Sequence, residues 1–152
     1  MKNTETVLPA PVLIVEDEAM IRSRLDLILS ELGYSHDMLI FAKNLAEAMA
    51  IIASQPISLA LVDLGLPDGN GITLIEKLRD IDQSALILVI SAWSTQQSLF
   101  ASIKAGANGY VLKERDDAEV LMSIRSILRG GAPIDPFIAR EILNQISTST
   151  TP

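Results

Sequence analysis

No cysteine occurs among the 152 residues of the chain. Disulfides, thiolate metal sites and cysteine nucleophiles are therefore excluded, and a reducing compartment fits. Histidine is nearly absent too: His36 stands alone, which rules out a site built on two imidazoles, and it reads as a loop residue. Basic residues are scarce, 12 against 19 acidic ones, for a net charge of −7. No basic stripe appears, so this chain is not expected to bind nucleic acid itself. No apolar run approaches the roughly 20 residues of a membrane span, and the opening MKNTETVLPAP lacks a signal peptide's charged-then-apolar order. These absences predict a cytoplasmic domain without a membrane partner. What is plentiful is apolar side chain, 49% of residues, enough for the core of one ordinary domain.

Two kinds of segment alternate along that domain. Short apolar runs at 11–15, 58–62, 85–90 and 109–112, with a weaker one at 37–41, read as strands buried on both faces. Between them, apolar residues recur at three- and four-residue spacing. Ile21, Leu25, Ile28, Leu29 and Leu32 run into Gly33, and Asn44 with Glu47 resembles a capping box. Leu74, Ile75 and Leu78 mark a third helix, and Leu99, Phe100 and Ile103 a fourth, entered through Ser94 or Thr95 and closed at Gly106. Val120, Leu121, Ile124, Ile127 and Leu128 mark a fifth, ending at Gly130 and Gly131. Five strand–helix repeats predict an α/β fold, a parallel sheet covered on both faces. Beyond them, Asp135–Pro136 looks like an N-cap and first helical position, followed by an apolar stripe at Ile138, Ile142, Leu143 and Ile146.

What ends each strand is the informative feature. The first run stops at Glu16-Asp17-Glu18, the third at Asp63, the fourth at Ser91 and the fifth at Lys113. In an open parallel sheet, ligands bind beyond the carboxyl ends of the strands. Carboxylates gathered there repel unless a cation or protons neutralise them. An all-oxygen set of this kind suits a hard divalent ion, Mg²⁺ first and Mn²⁺ next. Lys113 would offer a mobile positive charge and Ser91 a hydroxyl donor to phosphoryl oxygens. Asp63 would be the nucleophile, carrying an acyl phosphate on its own side chain.

The motifs VLIVEDE, LALVDLGLPDGNG, LILVISAWS and GYVLKE, in this order, resemble the receiver domain of two-component response regulators over residues 11–131. The style of GLPDGNG, AGANGYVLKE and SILRGG is nearest the LuxR/NarL-type subfamily. The resemblance implies a flavodoxin-like, doubly wound five-stranded sheet in the order 2-1-3-4-5 with five flanking helices, to which the short C-terminal helix is added. It implies that Asp63 is the phosphoacceptor and that Glu16, Asp17, Asp63 and the Gly65 carbonyl hold Mg²⁺. Ser91 and Lys113 would contact the phosphoryl group, and Tyr110 would be the switch aromatic. Trp93, just past Ser91, is a candidate gate over the site. Pro67 and Gly71 would shape the loop after Asp63, proline by presetting φ and glycine by permitting φ > 0. Glu16 stands where Asp is commoner, Ser91 where Thr is frequent, and Glu114 where many receivers have Pro; none of these removes an essential group.

The implied function is Mg²⁺-dependent acceptance of a phosphoryl group from a sensor histidine kinase or phosphotransfer protein. A conformational switch then controls an output, transcription through a DNA-binding domain absent from this chain. The only catalysis expected is the chain's own phosphorylation and autodephosphorylation. A stand-alone receiver working by protein contacts is the first alternative; a homodimer through the outer helices is compatible but fixed by no residue. A Mg²⁺-dependent aspartyl phosphatase is disfavoured by Gly65, where haloacid-dehalogenase-type enzymes carry a second Asp. A nucleotide- or flavin-binding module is disfavoured because Glu16-Asp17-Glu18 occupies the place of a phosphate loop. The expected organisation is a flexible arm at 1–10, the receiver at 11–131, and a linker-like helix with a disordered tail at 132–152.

Overall fold

In a computed structural model, which describes residues 7–149, each apolar run becomes a strand because side chains on both of its faces find protein. The strands are β1 (Val12–Val15), β2 (Leu39–Ala42), β3 (Leu59–Val62), β4 (Leu86–Ser91) and β5 (Gly109–Leu112). They form one parallel sheet in the order β2-β1-β3-β4-β5. The weaker run at 37–41 is displaced: His36–Met38 is a short 3₁₀ turn, and the strand begins only at Leu39. Parallel neighbours require crossovers, which α1 (Ala19–Glu31), α2 (Leu45–Ser54), α3 (Gly71–Ile81) and α4 (Gln96–Ala105) supply. The helix α5 (Asp117–Leu128) follows β5, and α6 (Pro136–Ser149) follows a loop.

Side chains alternate across the sheet with the two-residue period of a strand. Val12, Ile14, Leu59, Leu61, Leu88, Ile90 and Val111 pack with Leu25, Ile28 and Leu29 of α1 and Val120, Ile124 and Ile127 of α5. Leu13, Val15, Ala60, Val62, Ile87, Val89, Tyr110 and Leu112 pack on the other face with α2, α3, α4 and Ile138 of α6. The last helix thus returns to the domain and adds a fully buried side chain to its core. On α4 only Leu99 of the three predicted marker residues is buried; Phe100 and Ile103 face outward.

Helix ends follow local chemistry. Asn44, Thr95 and Asp116 each accept from the amide three residues on, and Gly33, Gly106 and Gly130 close helices with positive φ. Gly71 does shape the loop, but without using the positive φ that glycine permits. It is glycine for lack of room: a Cβ there would lie 2.4 Å from the Asp63 carbonyl oxygen. Within the segment expected as a loose arm, Leu8 packs on the core, the Tyr34 hydroxyl donates to the Pro9 carbonyl and the Ser58 hydroxyl donates to that of Ala10. The remainder of that arm, residues 1–6, and the tail's 150–152 lie outside the described residues. Among the described residues, no helix is long and apolar enough to cross a membrane.

Candidate functional site

The register of the sheet brings the polar residues together. β1, β3, β4 and β5 run side by side in parallel, so Glu16, Asp63, Ser91 and Lys113 all leave the sheet at the same rim. Carboxylate oxygens of Glu16, Asp17 and Asp63 lie within 4.8 Å of one another. The Lys113 ammonium sits 2.8 Å from Glu16 Oε1 and 3.0 Å from Asp63 Oδ2, with Glu18 Oε1 at 3.5 Å. Glu16 and Asp63 are buried and Asp17 is exposed, leaving the cluster open on one side.

Local hydrogen bonds fix these groups. The Glu18 amide donates to Glu16 Oε2, and the Arg22 guanidinium donates to the Glu16 carbonyl. The Gly65 amide donates to Asp63 Oδ1 at 3.3 Å. After Asp63 the chain makes a two-residue ribbon, Gly65–Leu66 against Gly69–Asn70, before α3 begins. Asp68 in that loop accepts from the Leu45 and Ala46 amides, tying the loop to the start of α2. Those two bonds hold its carboxyl below the ordinary range.

Burial pushes the carboxyls of Glu16 and Asp63 up, only partly opposed by Lys113. For Lys113, burial acts to lower the ammonium's pKa, but the bonds to Glu16 and Asp63 prevail and carry it above the ordinary lysine value. The site is therefore a cationic side chain shared between two reluctant carboxylates, with a third at the solvent edge. Three convergent carboxylates and a solvent opening are the donor chemistry a hard divalent cation takes, so the residues present fit Mg²⁺.

Ser91 is fully buried, and its hydroxyl accepts from the Trp93 amide at 3.0 Å. Its carbonyl accepts from the Lys113 amide, which couples the two strand ends. Tyr110 is fully buried, with its hydroxyl donating to the Trp93 carbonyl at 2.6 Å. Burial raises its pKa. The Trp93 indole is partly exposed and covers Gly65, where an added Cβ would meet it at 3.2 Å. His36 lies elsewhere, exposed and 3.4 Å from Asp26.

Three residues at or beside the site have contacts that the sequence did not reveal. Glu18 reaches Lys113 from the exposed side. Arg24 of α1 donates to the carbonyls of Lys113 and Arg115 and pairs with Asp117. Asp135, expected only as a helix cap, does cap α6 through the Phe137 amide but also holds Arg115 in a two-pronged ion pair. Such pairs join segments far apart in sequence, where no spacing signal exists.

Comparison with known proteins bears on this geometry. Residues 12–125 match the family model of the response regulator receiver domain. The Fimbriae Z protein of Salmonella typhimurium is 28% identical over 144 residues, covering 95% of this chain and 66% of that protein. The transcriptional regulatory protein PhoP of Escherichia coli is 35% identical over 118 residues, covering 78% of this chain and 52% of its own. The chain thus spans about half to two thirds of the length of these curated relatives. Among solved structures, a two-component response regulator of the LuxR family from Aurantimonas sp. superposes with a TM-score of 0.76 at 27% identity, over 91% of this chain and 99% of that one. A CheY-like receiver domain protein from Methanospirillum hungatei gives 0.71 at 28% identity, over 78% and 93%.

Proposed function

The chain belongs to the response regulator receiver domain family, and on that premise we propose that Asp63 is its phosphoacceptor. The donor is the phosphohistidine of a sensor kinase or phosphotransfer protein. The Asp63 carboxylate attacks phosphorus, the new P–O bond forms as the P–N bond breaks, and the departing imidazole keeps the electron pair and takes up a proton. The observation that carries this reading is the convergence of Glu16, Asp17 and Asp63 oxygens within 4.8 Å of one another, with the Lys113 ammonium against Glu16 and Asp63.

Each residue has a derived task. Glu16, Asp17 and Asp63, with the Gly65 carbonyl, would hold Mg²⁺, which when bound screens their repulsion and accepts a phosphoryl oxygen. Lys113 already lies 3.0 Å from Asp63 Oδ2, so its ammonium is placed to follow charge that moves onto the phosphoryl oxygens. Ser91 would turn its hydroxyl from the Trp93 amide toward a phosphoryl oxygen. That rearrangement bears on the Trp93 main chain, to which Tyr110 is bonded, and so on the face built from α4, β5 and α5. Trp93 over Gly65 would limit water at the acyl phosphate. The output is transcriptional control, in keeping with the regulators it resembles, and the setting is cytoplasmic.

The test is intact-mass measurement after incubation with Mg²⁺ and acetyl phosphate. One added phosphoryl group, lost in Asp63→Asn and without the metal, is expected. Phosphorylation persisting in Asp63→Asn, or none in the unaltered chain, would overturn the reading.

A further inference from the structure

The segment 133–138 lies beyond the family match, which ends at residue 125, yet its first three residues pair with the edge of the sheet and the rest open α6. The Tyr110 amide donates to the Pro133 carbonyl and the Asp135 amide to the Tyr110 carbonyl, so Ile134 pairs with Tyr110 as a parallel bridge on the outer side of β5. The Asp135 carboxylate, fully buried, then collects four donors: the Leu112 amide, two nitrogens of the Arg115 guanidinium, and the Phe137 amide at the head of α6. Burial alone would raise its pKa, but these donors together hold it below the ordinary range. Leu112 and Arg115 are the residues on either side of the stretch that carries Lys113. Arg24 grips the carbonyls of Lys113 and Arg115 from α1.

We propose that Asp135 is a positioning residue for Lys113. By fixing both flanks of the Lys113 stretch to the head of α6, it makes docking of the C-terminal helix and phosphoryl acceptance at Asp63 energetically coupled. The inference rests on the reading of Asp63 as phosphoacceptor. The Lys113 ammonium meets two carboxylates at 2.8 and 3.0 Å from a stretch of backbone whose flanks Arg24 and Asp135 hold, and a displacement of about 1 Å costs on the order of 10²-fold in transfer steps of this kind. Coupling is reciprocal: if the docked helix favours one state of the site, a change of state at the site alters docking by the same factor. Arg115, Asp135 and Phe137 thus give the C-terminal segment a means of sensing the site without touching it.

The experiment uses the full chain and Asp135→Asn. Acetyl phosphate with Mg²⁺ supplies the phosphoryl group, read by intact mass. Mg²⁺ affinity is read from the fluorescence of Trp93, the chain's single tryptophan, which lies over Gly65. The expected result is phosphoryl gain slowed at least about fivefold, with Mg²⁺ affinity changed by less than about twofold, because Glu16, Asp17 and Asp63 are untouched. General loosening of the fold would weaken both. Equal rates in the variant and the unaltered chain overturn the proposal, as does a parallel loss of Mg²⁺ affinity. Should Asp135→Asn fail to fold, hydrogen exchange on the unaltered chain decides, with Mg²⁺ and beryllofluoride present or omitted. Exchange at the Leu112 and Phe137 amides that changes with beryllofluoride supports the coupling, and identical exchange in both states overturns it. An unaltered chain that gains no phosphoryl group defeats the reading of Asp63 and this inference with it. A phosphorylated chain beside an unaffected variant defeats this inference alone.

Discussion

Replacing Asp63 by Asn should make the metal-free protein more stable, although it removes the residue the site is built around. Three contributions decide the sign. The Lys113–Asp63 pair at 3.0 Å is worth about 5–6 kcal/mol of attraction at an effective dielectric near 20. Glu16 within 4.8 Å of Asp63 opposes this with a repulsion of at least about 3.5 kcal/mol on the same basis, and Asp17 adds a smaller, better-screened amount. The charge–charge balance is therefore close to even. Desolvation of a buried carboxylate, several kcal/mol per ion, then tips the result against keeping the charge. Asn still offers an oxygen to Lys113 and so leaves no buried ammonium unpartnered. A net gain of about 1–2 kcal/mol follows, or roughly 3–6 °C in Tm for a chain of this size. Thermal unfolding followed by circular dichroism, in EDTA at low ionic strength, measures it. Added Mg²⁺ should raise the Tm of the unaltered protein in proportion to ln[Mg²⁺] and raise that of Asp63→Asn much less. A Tm for Asp63→Asn at or below the unaltered value in EDTA would refute the reasoning, as would equal stabilisation of both by Mg²⁺.

Further outcomes follow from the same contacts. Burial raises the carboxyls of Asp63 and Glu16 above 3.8 and 4.5, so above those values the folded chain holds more protons than the unfolded one. In EDTA, stability from urea titrations should therefore decline as pH rises through that window. Asp135 and Asp68 have lowered values, so their contributions are present above about 3.8 and vanish as pH falls below it, turning the profile over at its acid end. Gly71→Ala drives a Cβ into the Asp63 carbonyl; it should cost about 1–3 kcal/mol in urea unfolding and slow phosphorylation because Asp63 must move. Trp93→Ala should change the lifetime of phospho-Asp63 by at least about threefold through water access, and an unchanged decay in a mass time course would dismiss the gate. Asp68→Ala should speed hydrogen exchange at the Leu45 and Ala46 amides it caps, and unaltered exchange there would contradict the assigned role.

The strands were legible because both faces of the sheet are covered, which leaves the apolar runs nearly unbroken. Helix ends were legible where one residue does the work alone: Asn44, Thr95 and Gly106 act on their own neighbours in the chain. The acids and the lysine at the strand ends were legible because parallel strands in register must deliver their last residues to one rim. Partners joined across long loops were not. Asp68 looks like any turn aspartate until Leu45 and Ala46 are seen to donate to it, and Asp135 looks like a helix cap because it is one. The α4 stripe misled for a related reason. Spacing of Leu99, Phe100 and Ile103 identifies a helix, but the face that is covered depends on neighbouring helices, and only Leu99 is buried. At Gly71 glycine's backbone freedom is the feature visible in sequence, whereas the constraint is the Asp63 carbonyl lying against it.

The charge balance at the rim explains why a site of this kind can act as a switch. Glu16, Asp17 and Asp63, with Glu18 beside them, outnumber the Lys113 ammonium, which touches Glu16, Asp63 and Glu18. Adding a phosphoryl group to Asp63 increases the negative charge further, and the excess must be met by a cation and by Lys113 leaving at least one of its present partners. The stretch from Leu112 to Arg115 that carries Lys113 is held by Arg24 from one face and by Asp135 from the sheet's edge, so a force on the ammonium is passed to both. Interactions that are individually modest thus join a charge change at one atom to two separate elements, α1 and the head of α6. The stored repulsion supplies the differential free energy that a two-state element needs if it is to respond at all.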